Sequence, residues 1–346
     1  MKYYSRNQLN KAGQIVVAGI DVFKVAEAIT LIDDWRAMHQ SVLDKMTSQV
    51  MQVLIDRHIP IAFSSKRLKR MVSIVGKLKH NPTMGLGGIQ DIGGARFAFE
   101  DIPTLMSADR LLRETPLDGF ELKSNYDYVA QPKESGYRSI HFVYKYHSDD
   151  DYDGMLVELQ IRTRLQHDWA TAVETAELIS QSPLKASAGD EHWQDYFKLV
   201  SAIFARQEKQ PTAERYADYT EADFCKQYDS VEKEHKFTEQ LSSLVGAVKM
   251  ASEHSFSKGY VVVHIDFENH VSRLLHFKED EIEAANESYS KVESITNRNS
   301  GAVVLVSVSD MNELREAYPS YFLNANEFIS ALLQFHKSCR MAGYIN

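Results

Sequence analysis

The chain has 346 residues, 44% hydrophobic and 25% charged, enough to bury a sizeable core and to divide into two compact units. Its formal charge of -9 excludes a protein that coats nucleic acid without specificity, because counterion release needs a basic surface. No apolar run reaches the roughly 20 residues of a membrane span, and the N-terminus MKYYSRNQLN lacks the apolar stretch of a secretory signal, so the expected location is the cytoplasm, with no membrane partner. Two cysteines, Cys225 and Cys339, are too few for a disulfide framework or a cysteine zinc site and read as reduced, buried thiols.

In chain order, Trp35, Met38, Val42, Met46, Val50 and Leu54 recur at helical spacing and predict a long amphipathic helix from about Phe23 to His58. Ser64 to His80 follows with Lys66, Arg67, Lys69, Arg70, Lys77 and Lys79 and no acidic residue, a cradle for polyphosphate. Ala95 to Glu100, Ser139 to His147 and Leu156 to Thr163 read as strands of a mixed sheet. Two helices are expected between Arg164 and about Gln210, the second marked by Trp193, Tyr196, Phe197, Val200 and Phe204. The polar stretch Gln210 to Ala222, which holds Pro211, reads as a loop or hinge. A helix from about Ser230 to Glu253 comes next. A hairpin (Tyr260 to Ile265, Val271 to Phe277), a charged helix (Glu279 to Thr296), a strand (Ala302 to Val308) and a closing helix (Asn324 to His336) then make a small α+β unit, so the division falls near 255.

The sharpest chemical signal is Leu156 to Arg162, where strict alternation puts Glu158, Gln160 and Arg162 on one face and Val157, Leu159 and Ile161 on the other. Upstream, Asp91 precedes Gly93 and Gly94, which let backbone approach a ligand. Two carboxylates from separate strands, Asp91 and Glu158, match the sparse oxygen ligation magnesium takes when substrate phosphates and waters complete its octahedron. Between them a Pro/Gly loop, Tyr126 to His141, offers Lys133 and Arg138 to phosphates and Tyr137 to a nucleobase. Taken singly, Tyr137 reads as strand-edge packing and His141 as an ordinary core or surface histidine.

The motifs in this order resemble the synthetase domain of the RelA/SpoT family of alarmone synthetases. Its pattern R-x-K, S-I and K, D-I-x-G-x-R, D-Y-x-x-x-P-K-x-x-G-Y-x-S-I-H and E-x-Q-I-R-T is matched by Arg67 to Lys69, Ser73-Ile74, Lys77, Asp91 to Arg96, Asp127 to His141 and Glu158 to Thr163. The resemblance covers roughly Ser64 to Glu174. It implies an α+β nucleotidyltransferase-like fold, a mixed sheet flanked by helices, and a pyrophosphokinase that uses Mg2+ and ATP. The acceptor's ribose 3'-hydroxyl attacks the β-phosphorus and AMP leaves. By the same resemblance Arg67 and Arg96 sandwich adenine, and Lys69, Ser73 and Lys77 surround the ATP phosphates. Asp91 and Glu158 are the catalytic magnesium carboxylates. Tyr137 stacks on the acceptor base, with Lys133, Arg138, His141, Gln160 and Arg162 lining that side. Whether Glu158 is also a general base stays open. Two departures stand out. Many members continue with W-A-x-x-E-H, whereas here Trp169-Ala170-Thr171-Ala172-Val173-Glu174 is followed by Thr175, so the histidine is absent and acceptor preference is put in doubt. No HD hydrolase region is expected before the synthetase, so product removal is not expected either.

The order of synthetase, helices and a small β-containing domain with Tyr318-Pro-Ser-Tyr321 resembles the CapRel group of fused toxin–antitoxin synthetases. That likeness implies a synthetase domain at 1–255 and a pseudo-zinc-finger-like regulatory domain at 256–346, with Tyr318 and Tyr321 autoinhibitory. It further implies a phage protein as trigger and the 3' end of tRNA as acceptor. Read alone, Tyr318 to Phe322 is a helix-ending turn. Two other functions stay open: a free-nucleotide synthetase with a guanine or adenine nucleotide as acceptor, making (p)ppGpp or (p)ppApp, and an inactive nucleotide-binding sensor.

Overall fold

The three strands legible in the sequence form the centre of a five-stranded sheet. The computed structural model describes residues 4–69, 71–180, 191–243, 259–266, 271–295, 301–307 and 319–346. Strands β1 (Phe63–Leu68), β2 (Gly93–Phe99), β3 (Phe120–Asp127), β4 (Ile140–Tyr146) and β5 (Leu156–Thr163) are ordered β1-β2-β5-β4-β3. Only β2 and β5 run parallel, so the sheet is mixed and the fold α+β, as expected.

Alternation gives the sheet one apolar and one polar face. Ala95, Phe97, Ile140, Phe142, Tyr144, Val157, Leu159 and Ile161 are register neighbours, all at most 3% exposed. They form one core with Trp35, Val42, Leu43, Met46, Val50 and Leu54 of α2 (Val22–Asp56) and with Leu105, Ala108 and Leu112 of α4 (Ile102–Glu114). Burial of these side chains, at roughly 1.5–3 kcal/mol each, holds α2 and α4 on that face. Helix α1 (Arg6–Ala18), opened by a capping box of Ser5 and Gln8, packs on α2, and α3 (Met71–His80) follows β1.

Contacts divide the chain into two compact units, residues 1–131 with 138–164, and residues 132–137 with 165–346. The second holds α5 (Arg164–Ser180), α6 (Glu191–Gln207) and α7 (Glu221–His235). It also holds an antiparallel sheet ordered β7-β6-β8, built from β6 (Gly259–Asp266), β7 (Val271–Lys278) and β8 (Gly301–Ser307), with α8 (Ile282–Ile295) packed against it. The helix expected at about 230 starts earlier, at Glu221, because Thr220 and Asp223 close a capping box. It ends where Lys236 turns left-handed at φ 52°; helical backbone resumes over 237–243, and the remainder of the expected span lies outside the described residues.

The closing helix, α9 (Pro319–Met341), lies on α6 and α7. Phe328 meets Phe197 and Phe204, Phe335 meets Tyr228, and His336 Nε2 sits 3.1 Å from Asp229 Oδ1. This packing corrects the reading of the cysteines as reduced thiols: it brings Cys225 of α7 to Cys339 of α9, and the two form a disulfide. Tyr318 lies outside the described residues, as does the side chain of Tyr321 in the first turn of α9. No helix among the described residues is long and apolar enough to cross a membrane.

Candidate active site

The polar face of the sheet follows from the same alternation. Arg67, Gly94, Glu158 and Val143 are register partners across β1, β2, β5 and β4, and Ser65, Arg96, Gln160, His141 and Tyr126 form the next row. Arg162 extends the face one pleat beyond Gln160 and is buried, as is Arg138, whose Nη1 donates to the Val129 carbonyl at 3.0 Å. Gly94 matters by what it lacks. A Cβ there would meet only the Glu158 carbonyl, at 3.9 Å, so the floor beside Glu158 stays open. At Gly93 a Cβ would stand 3.3 Å from Val157 Cγ1 and 3.4 Å from His39 Cβ, so the second glycine lets α2 lie close under the strand.

Asp91 stands just before β2 between two cations. Lys69 Nζ donates to Oδ2 and Lys77 Nζ to Oδ1, each at 2.9 Å. Burial works against its ionisation, but the two ammonium groups outweigh that and hold the carboxyl down at about 2. Ser73 lies one turn before Lys77 on α3. The clamp has a support that sequence reading missed: Arg36 Nε of α2 donates to the Lys69 carbonyl at 2.9 Å, and Lys69 N–H donates to the Ile92 carbonyl at 2.7 Å. A lone arginine on an amphipathic helix carries no sequence signal for that role.

Glu158 is almost enclosed and accepts from His141 Nδ1 at 2.9 Å on Oε1 and from Gln160 Nε2 at 2.7 Å on Oε2. Burial raises its pKa, as does the negative charge of Asp91, yet the hydrogen bond and charge of His141, helped by Gln160, hold it below the usual glutamate range. An ionised Glu158 fixes a hydrogen on His141 Nδ1. The field of Asp91 at Glu158 links the two carboxylates electrostatically.

The loop before β4 is built by its own polar groups. Asp127 accepts from the N–H groups of Val129 and Ala130, both at 2.9 Å, and Ser139 Oγ donates to the Ile161 carbonyl at 3.0 Å. Asp127 therefore shapes the turn. Lys133 and Tyr137 fall in the second unit, with Lys133 Nζ 5.2 Å from the centre of the Tyr137 ring. Between them Gly136 sits at φ +89°, its carbonyl accepting from Ser201 Oγ at 2.5 Å. An alanine Cβ would lie 2.8 Å from Ser201 Cβ and 3.3 Å from the Trp169 ring. We expect Gly136→Ala to destabilise the chain by about 2–4 kcal/mol. Less should be lost in a Ser201→Gly background; urea midpoints of the two pairs check this.

Of the thirteen residues assigned to catalysis, ATP or acceptor, eleven (Arg67, Lys69, Ser73, Lys77, Asp91, Arg96, Arg138, His141, Glu158, Gln160 and Arg162) thus fall in the first unit and two, Lys133 and Tyr137, in the second. Among the described residues no group of three or more His, Cys, Asp or Glu side chains is placed to hold a metal. A cation here would rest on the Asp91 and Glu158 pair: both carboxyls are held ionised, Glu158 lies within the field of Asp91, and such oxygen donors suit a hard divalent ion completed by substrate oxygens.

Residues 66–179 match the family model for the region found in RelA/SpoT proteins. The chain is 34% identical over 120 residues to GTP pyrophosphokinase YjbM of Bacillus subtilis (strain 168), an alignment that covers 34% of this chain and 56% of that relative. It is 26% identical over 157 residues to GTP pyrophosphokinase YwaC of the same organism, covering 41% of this chain and 74% of the relative. Among solved structures it is similar to small alarmone synthetase 1 of Bacillus subtilis bound to its product pppGpp. That match has a TM-score of 0.44 and 22% identity, covering 52% of this chain and 94% of the other. Small alarmone synthetase 2 of the same organism matches with a TM-score of 0.44 and 20% identity, covering 51% and 94%.

Proposed function

We propose, proceeding from the RelA/SpoT region at residues 66–179, that the chain is a pyrophosphokinase that moves pyrophosphate from ATP to a ribose 3'-hydroxyl at the 3' end of tRNA. The observation that carries this reading is Asp91 held between Lys69 and Lys77 and felt electrostatically at Glu158, on a sheet face open at Gly94. The ATP phosphates exchange for Asp91 on the two ammonium groups, which keeps the cations preorganised until substrate arrives. Ser73 adds a hydroxyl beside them. Arg67 and Arg96, on one face of adjacent strands, present guanidinium planes to adenine.

On the acceptor side His141 and Gln160 hold Glu158 in one orientation, and each of its oxygens keeps a lone pair for a proton. The 3'-oxygen attacks the β-phosphorus, its proton passes to Glu158, and AMP leaves with the bridging oxygen. Tyr137 stacks on the acceptor base, and Lys133, Arg138 and Arg162 complete that side. Asp91 and Glu158 would hold Mg2+, which supplies charge neutralisation for the transferred group when bound.

Residues 256–346 are assigned to self-inhibition through Tyr318 and Tyr321, relieved by a phage protein, so that the active enzyme blocks translation in defence. A second reading takes a free guanine or adenine nucleotide as acceptor and is favoured by the relatives named GTP pyrophosphokinases.

Full-length protein and its Tyr318→Ala/Tyr321→Ala variant, given ATP labelled at the β-phosphate with tRNA or with GDP, GTP and ATP, test both readings. Label on tRNA, stronger in the variant, is expected. Label on nucleotides alone replaces the tRNA reading, and equal transfer by both proteins ends the self-inhibition reading. Point variants serve better than truncation at 255, which would strip Phe328, Leu332 and Phe335 from the helical core.

A further inference from the structure

The polar row that holds His141 and Gln160 ends on an aromatic ring. Ser65, Arg96, Gln160, His141 and Tyr126 are successive register partners, so Tyr126 shares their face on β3, an edge strand. Tyr126 is 42% exposed, unlike the buried aromatic residues Phe142 and Tyr144 on the neighbouring strand. Its ring stacks on Tyr128, with centroids 6.1 Å apart and planes 5° apart. Tyr128 meets the His141 ring edge-on at 5.2 Å, and His141 in turn holds Glu158.

The aromatic pair therefore continues the candidate site outward. Strand β3 lies two strand spacings, about 10 Å, from β5 and Glu158. A flat, sequence-tolerant surface at that remove suits a nucleobase, because every base has a face to stack. Resting on the reading of the site as a pyrophosphokinase with an RNA acceptor, we propose that Tyr126, backed by Tyr128, is a stacking platform for the nucleobase next to the acceptor nucleotide. It is a specificity-determining residue that distinguishes an RNA end from a free nucleotide. A single nucleotide anchored at Glu158 has no second base to place there, whereas an RNA strand has.

The test uses the full chain and three variants: Tyr126→Ala, Tyr126→Leu and Tyr126→Trp. Binding of a short, fluorescently labelled single-stranded RNA with a free 3'-hydroxyl is measured by anisotropy, with binding of the matching mononucleotide measured by competition. Label transfer from ATP to each acceptor is followed in parallel. Tyr126→Ala and Tyr126→Leu are expected to weaken RNA binding roughly tenfold and leave mononucleotide binding and the KM for ATP unchanged, while Tyr126→Trp restores RNA binding. Equal losses for RNA and mononucleotide, no loss for either, or wild-type protein that does not bind the RNA overturns the platform. Label transfer by the wild type with no selective effect of Tyr126→Ala overturns the platform and leaves the pyrophosphokinase reading standing. Selective loss of RNA binding without label transfer by any protein, the Tyr318→Ala/Tyr321→Ala variant included, keeps the platform and overturns that reading.

Discussion

Asp91→Asn should abolish pyrophosphate transfer, by at least about 100-fold, while leaving ATP affinity unchanged or higher. Its carboxylate is the shared partner of Lys69 and Lys77, so in the resting protein it occupies the cations that ATP phosphates need. Asparagine keeps the shape but offers one acceptor and one donor to two donors, and the lysines are left readier for phosphate. Turnover still fails, because the residue's negative charge is then missing where a divalent ion would be held. Label transfer and calorimetric ATP binding on the same preparation separate the two effects; loss of ATP affinity in step with turnover would refute this division of roles.

The same variant has a signature in stability. The folded pKa of about 2 lies below the unfolded value of about 3.9, so the interaction stabilises above about pH 4 and fades as pH falls toward 2. Asp91→Asn should therefore cost on the order of 1–2 kcal/mol at neutral pH, discounted because Lys77 is a third exposed, with a deficit that shrinks on acidification below pH 4. Urea midpoints of both proteins from pH 7 to about pH 3 measure it.

The strands legible in the sequence and those that were not differ by their place in the sheet. β2, β4 and β5 are central, so each needs an apolar face that alternation reveals. β1 and β3 are edges with one neighbour each, and their sequences, FSSKRL and FELKSNYD, stay largely solvated. No apolar period marks them, and β1 was hidden inside what reads as a purely cationic segment. Helix α4 escaped for another reason. Its signals, Asp101 as N-cap and Pro103 in the first turn, were present, but Leu105, Ala108 and Leu112 make too short a stripe to stand out.

At the site, sequence patterning identified residues that lie on the polar face, because alternation on β5 and the two glycines that open β2 carry that information locally. Arg36 could not be found that way. It acts through the Lys69 backbone from a helix 33 residues upstream, and only the fold brings them together. Tyr126 was equally silent, since its meaning comes from pairing with His141 across β3 and β4. The disulfide between Cys225 and Cys339, 114 residues apart, likewise depends on α9 crossing α7 and on nothing local to either cysteine.

Glu158→Gln is the second large effect. Glutamine fills the same volume, and its carbonyl still accepts from His141 Nδ1, while Gln160 can rotate to present its own carbonyl to the new amide; the fold should be preserved. What disappears is a negative charge and a proton acceptor beside the attacking hydroxyl, and transfer should fall roughly 10²–10⁴-fold with thermal stability and ATP binding little changed. The pH profile supplies the sharper test. Because hydrogen bonding to His141 and Gln160 keeps Glu158 ionised below the ordinary glutamate value of about 4.3, wild-type transfer should hold as pH drops toward that value and fail only beneath it. An acid limb near pH 6 to 7 in the wild type would instead point to a group of histidine-like pKa and remove Glu158 from the role of proton acceptor. His141→Gln offers the complementary measurement: by withdrawing the charge of the imidazole it should move the acid limb upward while leaving the limiting rate at high pH closer to wild type than Glu158→Gln does.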